Sequence, residues 1–302
     1  MTSNTSRSAE PPLFSSSPST STKPTSVDSK QQPEDFQTIR FTNVHDLFRT
    51  IDHTTEDFLA ITHVSPGHFT DIERERDRRR RKFRLRRYNS DSNTLFITIP
   101  TQAHEKLHTG IYEGYRDQLV RSGTESSWDT VASVTYRAKH NHPGGDGGEG
   151  DSTGGPMPER GAKGAWPTLV VEAGVSESLN QLHNDMRWWF AASDHDVKIV
   201  LLAKFDHARD TIILEKWEEE ARGTRPGAAT TRYLTAVEPV RRQAITITQD
   251  LTTDPISYPV TSGALVLGFR LLFLREPGPG EGDFVLSVQK LQAWAERVWK
   301  VV

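Results

Sequence analysis

Residues 166–178 read WPTLVVEAGVSES and residues 197–205 read VKIVLLAKF. The first stretch contains a short apolar run, Thr168–Ala173, of the kind found in strands buried on both faces. Between the two stretches, Ser176–Ala192 has the pattern of a helix. A strand, a helix and a second strand in this order predict a parallel pair joined by a right-handed crossover. This segment therefore places the chain in the mixed α/β class.

The flanking sequence adds further strands and helices to this unit. Strands are predicted at Thr94–Ile99, Thr130–Tyr136, Thr211–Trp217, Ala244–Thr248 and Ala264–Leu274. Helices are predicted near Asn43–Ile51 and at Gln102–Arg121 and Phe284–Val298. Residues 144–164 contain nine glycines and are predicted to form a long loop. We expect a single α/β domain over residues 36–302, with flanking helices and with extra strands and a helix at the C-terminal end.

The first 35 residues differ in composition from the rest of the chain. Twenty of them are Ser, Thr or Pro, and few are apolar. Such a segment does not bury enough apolar surface to offset the entropy of ordering it, so residues 1–35 are predicted to be a disordered tail.

Composition also limits the cellular setting. The chain has no cysteine, which excludes a disulfide scaffold, a thiolate metal site and a cysteine nucleophile. No apolar stretch approaches the length of a membrane span, and no signal-peptide pattern is visible. We therefore expect an intracellular protein, cytoplasmic or nuclear, without a membrane partner.

One segment carries a high density of positive charge. Between Arg74 and Arg87 lie nine arginines, one lysine and two acidic residues, a local charge of +8 in a chain whose net charge is −3. This density is typical of a surface that contacts nucleic acid phosphates. The residues predicted to make that contact are Arg78, Arg79, Arg80, Arg81, Lys82, Arg84, Arg86 and Arg87. A solvated face and a nuclear import signal are the alternatives.

Residues 104–108 match the pattern H-E-x-x-H on a predicted helix. In zinc peptidases this spacing puts two histidines on one helix face, with the glutamate as general base. A zinc metallopeptidase that uses His104, Glu105 and His108 is therefore one hypothesis. The alternative is a helix start whose polar residues face solvent, because no third ligand follows at a recognised spacing.

Two further carboxylates lie close to the predicted buried strand. Asp151 follows the glycine-rich stretch, and Glu172 interrupts the apolar run at Thr168–Ala173. A buried carboxylate without a partner is costly, and a divalent cation such as Mg²⁺ shared by two carboxylates removes that cost. A solvent-facing or otherwise paired position for each is the alternative.

Several blocks together resemble a known family. The segment Trp166–Ser178 is similar to the motif of uncharacterised fungal proteins of the PD-(D/E)XK, restriction-endonuclease-like type, which are similar to the bacterial Uma2 family. Other matching blocks lie at residues 99–101, 104–105, 150–152, 184–189, 197–200 and 215–217, so the resemblance covers about residues 80–220. It implies a nuclease-like core with a mixed sheet.

By this resemblance, Asp151 and Glu172 match the two catalytic carboxylates that bind Mg²⁺. Glu105 matches the acidic residue that some of these nucleases carry on the first core helix, where it would support the metal site. One position departs from the motif: Gly174 stands where the family has a lysine. Lys198 and Lys204 are candidates to replace it. The leading hypothesis is thus a Mg²⁺-dependent nuclease-like protein that acts on or binds the phosphodiester backbone of nucleic acid. The alternative on the same fold is a non-catalytic module that binds nucleic acid or protein.

Overall fold

A computed structural model describes Met1 and residues 37–131, 134–139, 145–221 and 237–302. The predicted tail lies outside the described residues, apart from Met1. From Gln37 onward the described residues belong to one compact unit with two six-stranded mixed sheets and six helices. The predicted α/β class, with flanking helices and extra C-terminal strands, is therefore confirmed. None of the described helices combines the length and the apolarity that a membrane span requires.

The first sheet is built from the N-terminal half of the unit together with two very short strands. In spatial order it contains β1 (Gln37–Arg40), β2 (Phe58–Thr62), β4 (Thr94–Thr98), β3 (Arg84–Asn89), β7 (Gly147–Gly148) and β6 (Tyr136–Arg137). Strands β1 and β2 run parallel, and the other neighbouring pairs of this sheet are antiparallel.

The second sheet contains the predicted crossover. In spatial order it contains β12 (Val237–Thr248), β11 (Thr211–Ala221), β10 (Ile199–Asp206), β9 (Leu169–Gly174), β8 (Ser152–Pro156) and β5 (Trp128–Val131). Strands β9 and β10 are parallel, as predicted, and Glu172 pairs with Leu202 in their register. The remaining neighbours in this sheet are antiparallel.

Helices cover the sheets and close the core. They are α1 (Val44–His53), α2 (Pro66–Arg78), α3 (Gln102–Ser122), α4 (Leu179–Ala192), α5 (Phe269–Phe273) and α6 (Val288–Trp299). A two-stranded sheet of β13 (Leu265–Leu267) and β14 (Phe284–Leu286) completes the C-terminal part.

Strand β9 is buried on both faces, which explains its nearly continuous apolar sequence. Leu169 and Val171 pack in a cluster with residues of α3 and α6, whereas Val170 packs in a cluster with residues of α4. Glu172 has the same parity as Val170 and faces α4, where Trp189 donates a hydrogen bond to it. The strand therefore places the Glu172 carboxylate in the interior of the protein.

The glycine-rich stretch is not one long loop, so this prediction was wrong. It contains β7 and β8, and β8 lies between β5 and β9 in the second sheet. Glycine is needed in β8 for close approach: a Cβ atom on Gly154 would lie 2.3 Å from Tyr112 Oη and 2.6 Å from Trp128 Nε1. Local composition indicates a loop, whereas the neighbouring strands and aromatic rings make this segment a strand.

Three predicted elements also differ from the structure in their type or in the sheet that they join. The predicted strand at Ala264–Leu274 is a short strand followed by helix α5, and the predicted helix at Phe284–Val298 begins with strand β14. The predicted strand at Thr130–Tyr136 contributes to two strands in different sheets, and residues 132–133 lie outside the described part. Short apolar runs fit a strand and a buried helix equally well by periodicity.

Candidate metal centre and basic cleft

Helix α3 begins at Thr101, whose hydroxyl accepts a hydrogen bond from the backbone N–H of His104. This N-cap defines the first turn of the helix, and four-residue spacing brings His104 and His108 to one face. Both rings are buried, whereas the side chain of Glu105 is 40% exposed. We call His104, Glu105 and His108 the histidine–glutamate group.

The histidine–glutamate group can hold a metal ion. One ligand atom from each of the three residues lies within 4.8 Å of the other two. The distance from Glu105 Oε1 is 3.3 Å to His108 Nε2 and 4.0 Å to His104 Nδ1. Both of these buried nitrogens lack a hydrogen-bond partner among the described residues. Both nitrogens are therefore available, together with the Glu105 carboxylate, as ligands for one metal ion.

The opposite sides of the two rings contact polar groups near the start of β8. His108 Nδ1 is 2.8 Å from Ser152 Oγ, and His104 Nε2 is 3.2 Å from Asp151 Oδ2. Histidines that bind metals usually contact a carboxylate, carbonyl or hydroxyl through their second nitrogen, which sets the ring orientation. Asp151 and Ser152 are suited to this orienting role.

Electrostatics favour a proton on the His104 ring, which a metal ion bound there would have to displace. Burial on its own would lower the pKa of His104, but the Asp151 carboxylate outweighs it and raises the pKa to about 10. The two histidines hold the pKa of Glu105 well below its ordinary value. Two imidazoles and one carboxylate are donors that suit zinc, iron or manganese, whereas Mg²⁺ prefers a shell of oxygens.

A second buried cluster lies on the other side of Asp151 and is centred on Arg86. The Arg86 guanidinium donates hydrogen bonds to Asp185 at 2.8 Å and to Glu177 at 3.1 Å. It is also 3.8 Å from Asp151 Oδ2 and 3.6 Å from Glu172 Oε2. We call Arg86 and these four carboxylates the Arg86 network; every one of its side chains is at most 4% exposed.

The two predicted metal-binding carboxylates are held by further donors. Asp151 Oδ2 accepts a hydrogen bond from the Ala173 N–H at 2.8 Å, and Glu172 Oε1 accepts one from Trp189 Nε1 at 2.5 Å. Burial raises the pKa of Glu172 well above its ordinary value, although Arg86 opposes this effect. Burial would likewise raise the pKa of Asp151, but His104 and Arg86 outweigh it and hold that pKa well below the ordinary value.

The structure thus brings Glu105, Asp151 and Glu172 into one region, where two arginines lie beside them. Arg84 connects two of them: its Nη2 is 3.4 Å from Glu105 Oε1, and its Nε is 3.5 Å from Asp151 Oδ1. Glu172 faces Arg86 instead.

Neither lysine predicted as a replacement for the motif lysine forms a hydrogen bond to Asp151 or Glu172 in the described residues. Lys198 Nζ donates to the His195 carbonyl on the surface. Lys204 is opposite Gly174 in the strand register, and its Nζ donates to the Val175 carbonyl. Burial lowers the pKa of Lys204, with Glu177 as the largest opposing charge.

The basic run divides into an outer and an inner part. Its outer residues belong to the end of α2 and the turn after it, and its inner residues belong to β3. Arg78, Arg79, Arg80 and Lys82 are exposed; Arg81, Arg84 and Arg87 are half-buried; Arg86 is buried. Arg87 stacks on Trp188, with its guanidinium carbon 4.0 Å from the ring centroid. Arg86 is therefore not accessible to a phosphate, whereas the residues at the turn are.

Arg81 and Lys82 of the basic run border a cavity of about 850 Å³, and Glu105 of the histidine–glutamate group also lines it. We call it the basic cleft; Arg81, Lys82, Arg84, Glu105 and Lys106 line it. Arg81 pairs with Asp52. The ammonium groups of Lys82 and Lys106 have no ion-pair partner in the described part of the chain, so they are available to an anionic ligand.

No model of a known protein family matches this chain, and no curated protein matches it. The case for a function therefore rests on the residues themselves.

Sequence reasoning missed the Arg86 network, although two signals for it exist. In β3, Arg84 and Arg86 alternate with Leu85, which is the period of a strand with one polar face. In α4, Asp185 lies among apolar residues at helical spacing. A buried acid on a helix and a charged strand face require partners, but sequence does not reveal that they are partners of each other.

Proposed function

We propose that this protein binds the phosphodiester backbone of a nucleic acid in the basic cleft and acts on it as a metal-dependent nuclease-like protein. One observation carries the proposal: Glu105 belongs both to the histidine–glutamate group and to the wall of the basic cleft. A metal ion held by this group would face the same cavity as the free ammonium groups of Lys82 and Lys106.

The chemistry of the cleft fits a polyanion. Lys82 and Lys106 would attract phosphates by charge, with the release of counterions. Arg84, beside Glu105, would stabilise negative charge on a phosphoryl oxygen. A bound metal ion would supply Lewis-acid polarisation of that oxygen and a lowered pKa for a coordinated water. Among divalent ions, Mn²⁺ and Zn²⁺ suit the donors better than the Mg²⁺ expected from the family resemblance.

Binding and cleavage are tested separately on labelled single- and double-stranded DNA and RNA. We expect Lys82→Gln with Lys106→Gln to weaken binding and to reduce the slope of log affinity against log salt by about 2, one for each lost phosphate contact. Lys163→Gln is the matched control, because Lys163 is exposed and lies outside the cleft. Equal affinity and slope in the double variant and the control would exclude the cleft as the binding surface.

Cleavage is assayed on the substrate that binds best, with Mn²⁺, Zn²⁺ or Mg²⁺ added to metal-free protein. We expect metal-dependent cleavage that is lost in Glu105→Gln and His108→Gln, because each removes one metal ligand. Cleavage that persists in both variants would place the reaction elsewhere.

A non-catalytic nucleic-acid-binding module is the second candidate function. It is supported by Gly174, where the motif lysine is absent, and by Arg86, which contacts the two predicted metal-binding carboxylates. Salt-dependent binding without cleavage in any metal would favour this function over the nuclease.

A zinc peptidase would use the same histidine–glutamate group. The cationic wall of the cleft favours an anionic ligand over a peptide backbone, so we rank this function below the other two. Zinc-dependent hydrolysis of casein or of an unstructured peptide, with no effect of Lys82→Gln, would reverse that order.

A further inference from the structure

The family resemblance implies a Mg²⁺ ion between Asp151 and Glu172, but the residues present do not fit one. A divalent ion bound by both carboxylates would lie within about 2.1–2.6 Å of an oxygen of each. In this protein a guanidinium approaches both: Arg86 Nη1 is 3.8 Å from Asp151 Oδ2, and Arg86 Nη2 is 3.6 Å from Glu172 Oε2. The position that a shared metal ion would need is therefore taken by a cation of the chain itself.

Arg86 is held in this position from other sides. Its Nε donates to Asp185 at 2.8 Å, and its Nη1 donates to Glu177 at 3.1 Å and to the Ala173 carbonyl at 3.1 Å. Its side chain is 1% exposed. A guanidinium with several charge-assisted hydrogen bonds in a fixed fork does not swing aside for an incoming ion without losing all of them.

The carboxylates are also engaged by groups other than Arg86. Ala173 N–H donates to Asp151 Oδ2, and Trp189 Nε1 donates to Glu172 Oε1. Asp151 also faces the Arg84 guanidinium at 3.5 Å and the His104 ring at 3.2 Å. Each carboxylate thus already has partners within the chain, although Glu172 Oε2 and Arg86 Nη2, 3.6 Å apart, make no hydrogen bond among the described residues.

Because Arg86 stands where the shared metal ion would bind, it also connects separate parts of the fold. Arg86 belongs to β3 of the first sheet, whereas Glu172 belongs to β9 of the second sheet and Asp185 to α4. The guanidinium therefore connects the two sheets, and it ties β3, the strand that also carries Arg84, to β9 and α4.

We infer that Arg86 permanently replaces the divalent cation at Asp151 and Glu172, so that this carboxylate pair is an ion network without a metal. The inference goes beyond the proposed function, because it concerns a different set of atoms from the histidine–glutamate group. The inference is therefore independent of whether the protein cleaves nucleic acid.

The test measures the number of bound Mn²⁺ ions on the full chain by calorimetry and electron paramagnetic resonance. We expect Glu172→Gln to leave the number of ions and their affinity as in the wild type, because Glu172 binds none. We expect Arg86→Met to bind one ion more than the wild type, and Arg86→Met with Glu172→Gln to lose that additional ion. Arg86→Lys keeps a positive charge at this position and should bind no additional Mn²⁺ ion.

Two results would overturn the inference. The first is loss of a Mn²⁺ ion from the wild type on Glu172→Gln, which would place a metal at the pair. The second is a folded Arg86→Met variant that gains no ion. If Arg86→Met does not fold, the comparison of wild type with Glu172→Gln still decides the question. His108→Gln separates this result from the proposed function, since it removes only an ion at the histidine–glutamate group.

Discussion

The ring of His108 is tied to strand β8 by Ser152, whose Oγ lies 2.8 Å from His108 Nδ1. This contact leaves His108 Nε2 to face Glu105 Oε1 at 3.3 Å. A residue at the edge of the glycine-rich stretch thus selects which nitrogen the helix presents to a metal ion. The metal-binding capacity of α3 therefore depends on a strand that local sequence does not predict.

We expect Ser152→Ala to weaken metal binding at the histidine–glutamate group by about 10–100-fold, which is the usual effect of losing a partner that orients a ligand. The reason is that the His108 ring would no longer be held in the orientation that exposes Nε2. Calorimetric titration with Zn²⁺ and Mn²⁺ measures the change. Ser92→Ala is the control, because Ser92 is exposed in the turn between β3 and β4. Equal affinity in both variants would show that Ser152 does not orient the ring.

Two adjacent tryptophans in α4 allow the contribution of the hydrogen bond to Glu172 to be measured, because only one of them donates it. Trp189 Nε1 donates to Glu172 Oε1, whereas Trp188 Nε1 is buried without a hydrogen-bond partner in the described residues. Trp189→Phe should therefore lower the free energy of unfolding by about 1–3 kcal/mol more than Trp188→Phe, because it leaves a buried carboxylate oxygen unpaired. Urea unfolding of the two variants measures the difference. The hydrogen bond would have no net stabilising effect if Trp188→Phe were equally or more destabilising.

A buried glutamate on β11 makes stability depend on pH. Glu215 accepts hydrogen bonds from His183 at 2.7 Å, Trp217 at 2.8 Å and Arg241 at 2.7 Å. Burial on its own would raise the pKa of Glu215, but these donors outweigh it and lower the pKa below the ordinary 4.5. The stabilisation is therefore complete above the pKa of the unfolded chain and is lost as the pH falls through the lower pKa of the folded protein.

The free energy of unfolding of wild type and Glu215→Gln should thus differ most near neutral pH. The gap should narrow as the pH falls below about 4.5, the ordinary pKa of the glutamate. Urea unfolding at a series of pH values gives both curves. Glu113→Gln, at an exposed position on α3, is the control and should show no such gap. A constant gap for Glu215→Gln would contradict the lowered pKa.

Strand β8 should be sensitive to the smallest added side chain. A Cβ atom on Gly154 would meet Tyr112 Oη at 2.3 Å and the Asp129 carbonyl oxygen at 2.8 Å, whereas one on Gly282 would meet nothing within 4 Å. We expect Gly154→Ala to lower the free energy of unfolding by about 1–3 kcal/mol through overpacking, and Gly282→Ala to have little effect. Thermal and urea unfolding measure both. Similar stabilities would mean that β8 shifts freely away from Tyr112.

The sequence predicts the elements whose signal is local. Strands β9 and β10 are continuous apolar runs, and α4 between them begins at Ser178, which accepts a hydrogen bond from the Gln181 N–H. Helix α3 has Thr101 as N-cap and Gly123 in the left-handed conformation at its end, at φ 69°. Caps and periodicity act within a few residues, so they are visible without the fold.

Strand β8 was missed because its stability comes from its neighbours. Ser152 pairs with Val171 in the register of β9, and Gly154 pairs with Thr130 on β5. A strand formed by pairing on both sides tolerates glycines that would be poor strand formers alone.

By itself the sequence determines the α/β class, the parallel crossover at β9 and β10, and the presence of His104, Glu105 and His108 on one helix. These features follow from interactions between residues close together along the chain. Only the tertiary structure decides that Arg86, within a basic run, turns inward to Asp151 and Glu172 while Lys82 remains free at the cleft. The direction of a charged side chain depends on which carboxylates the distant strands bring within reach, because burial of a charge is tolerated only beside its partners.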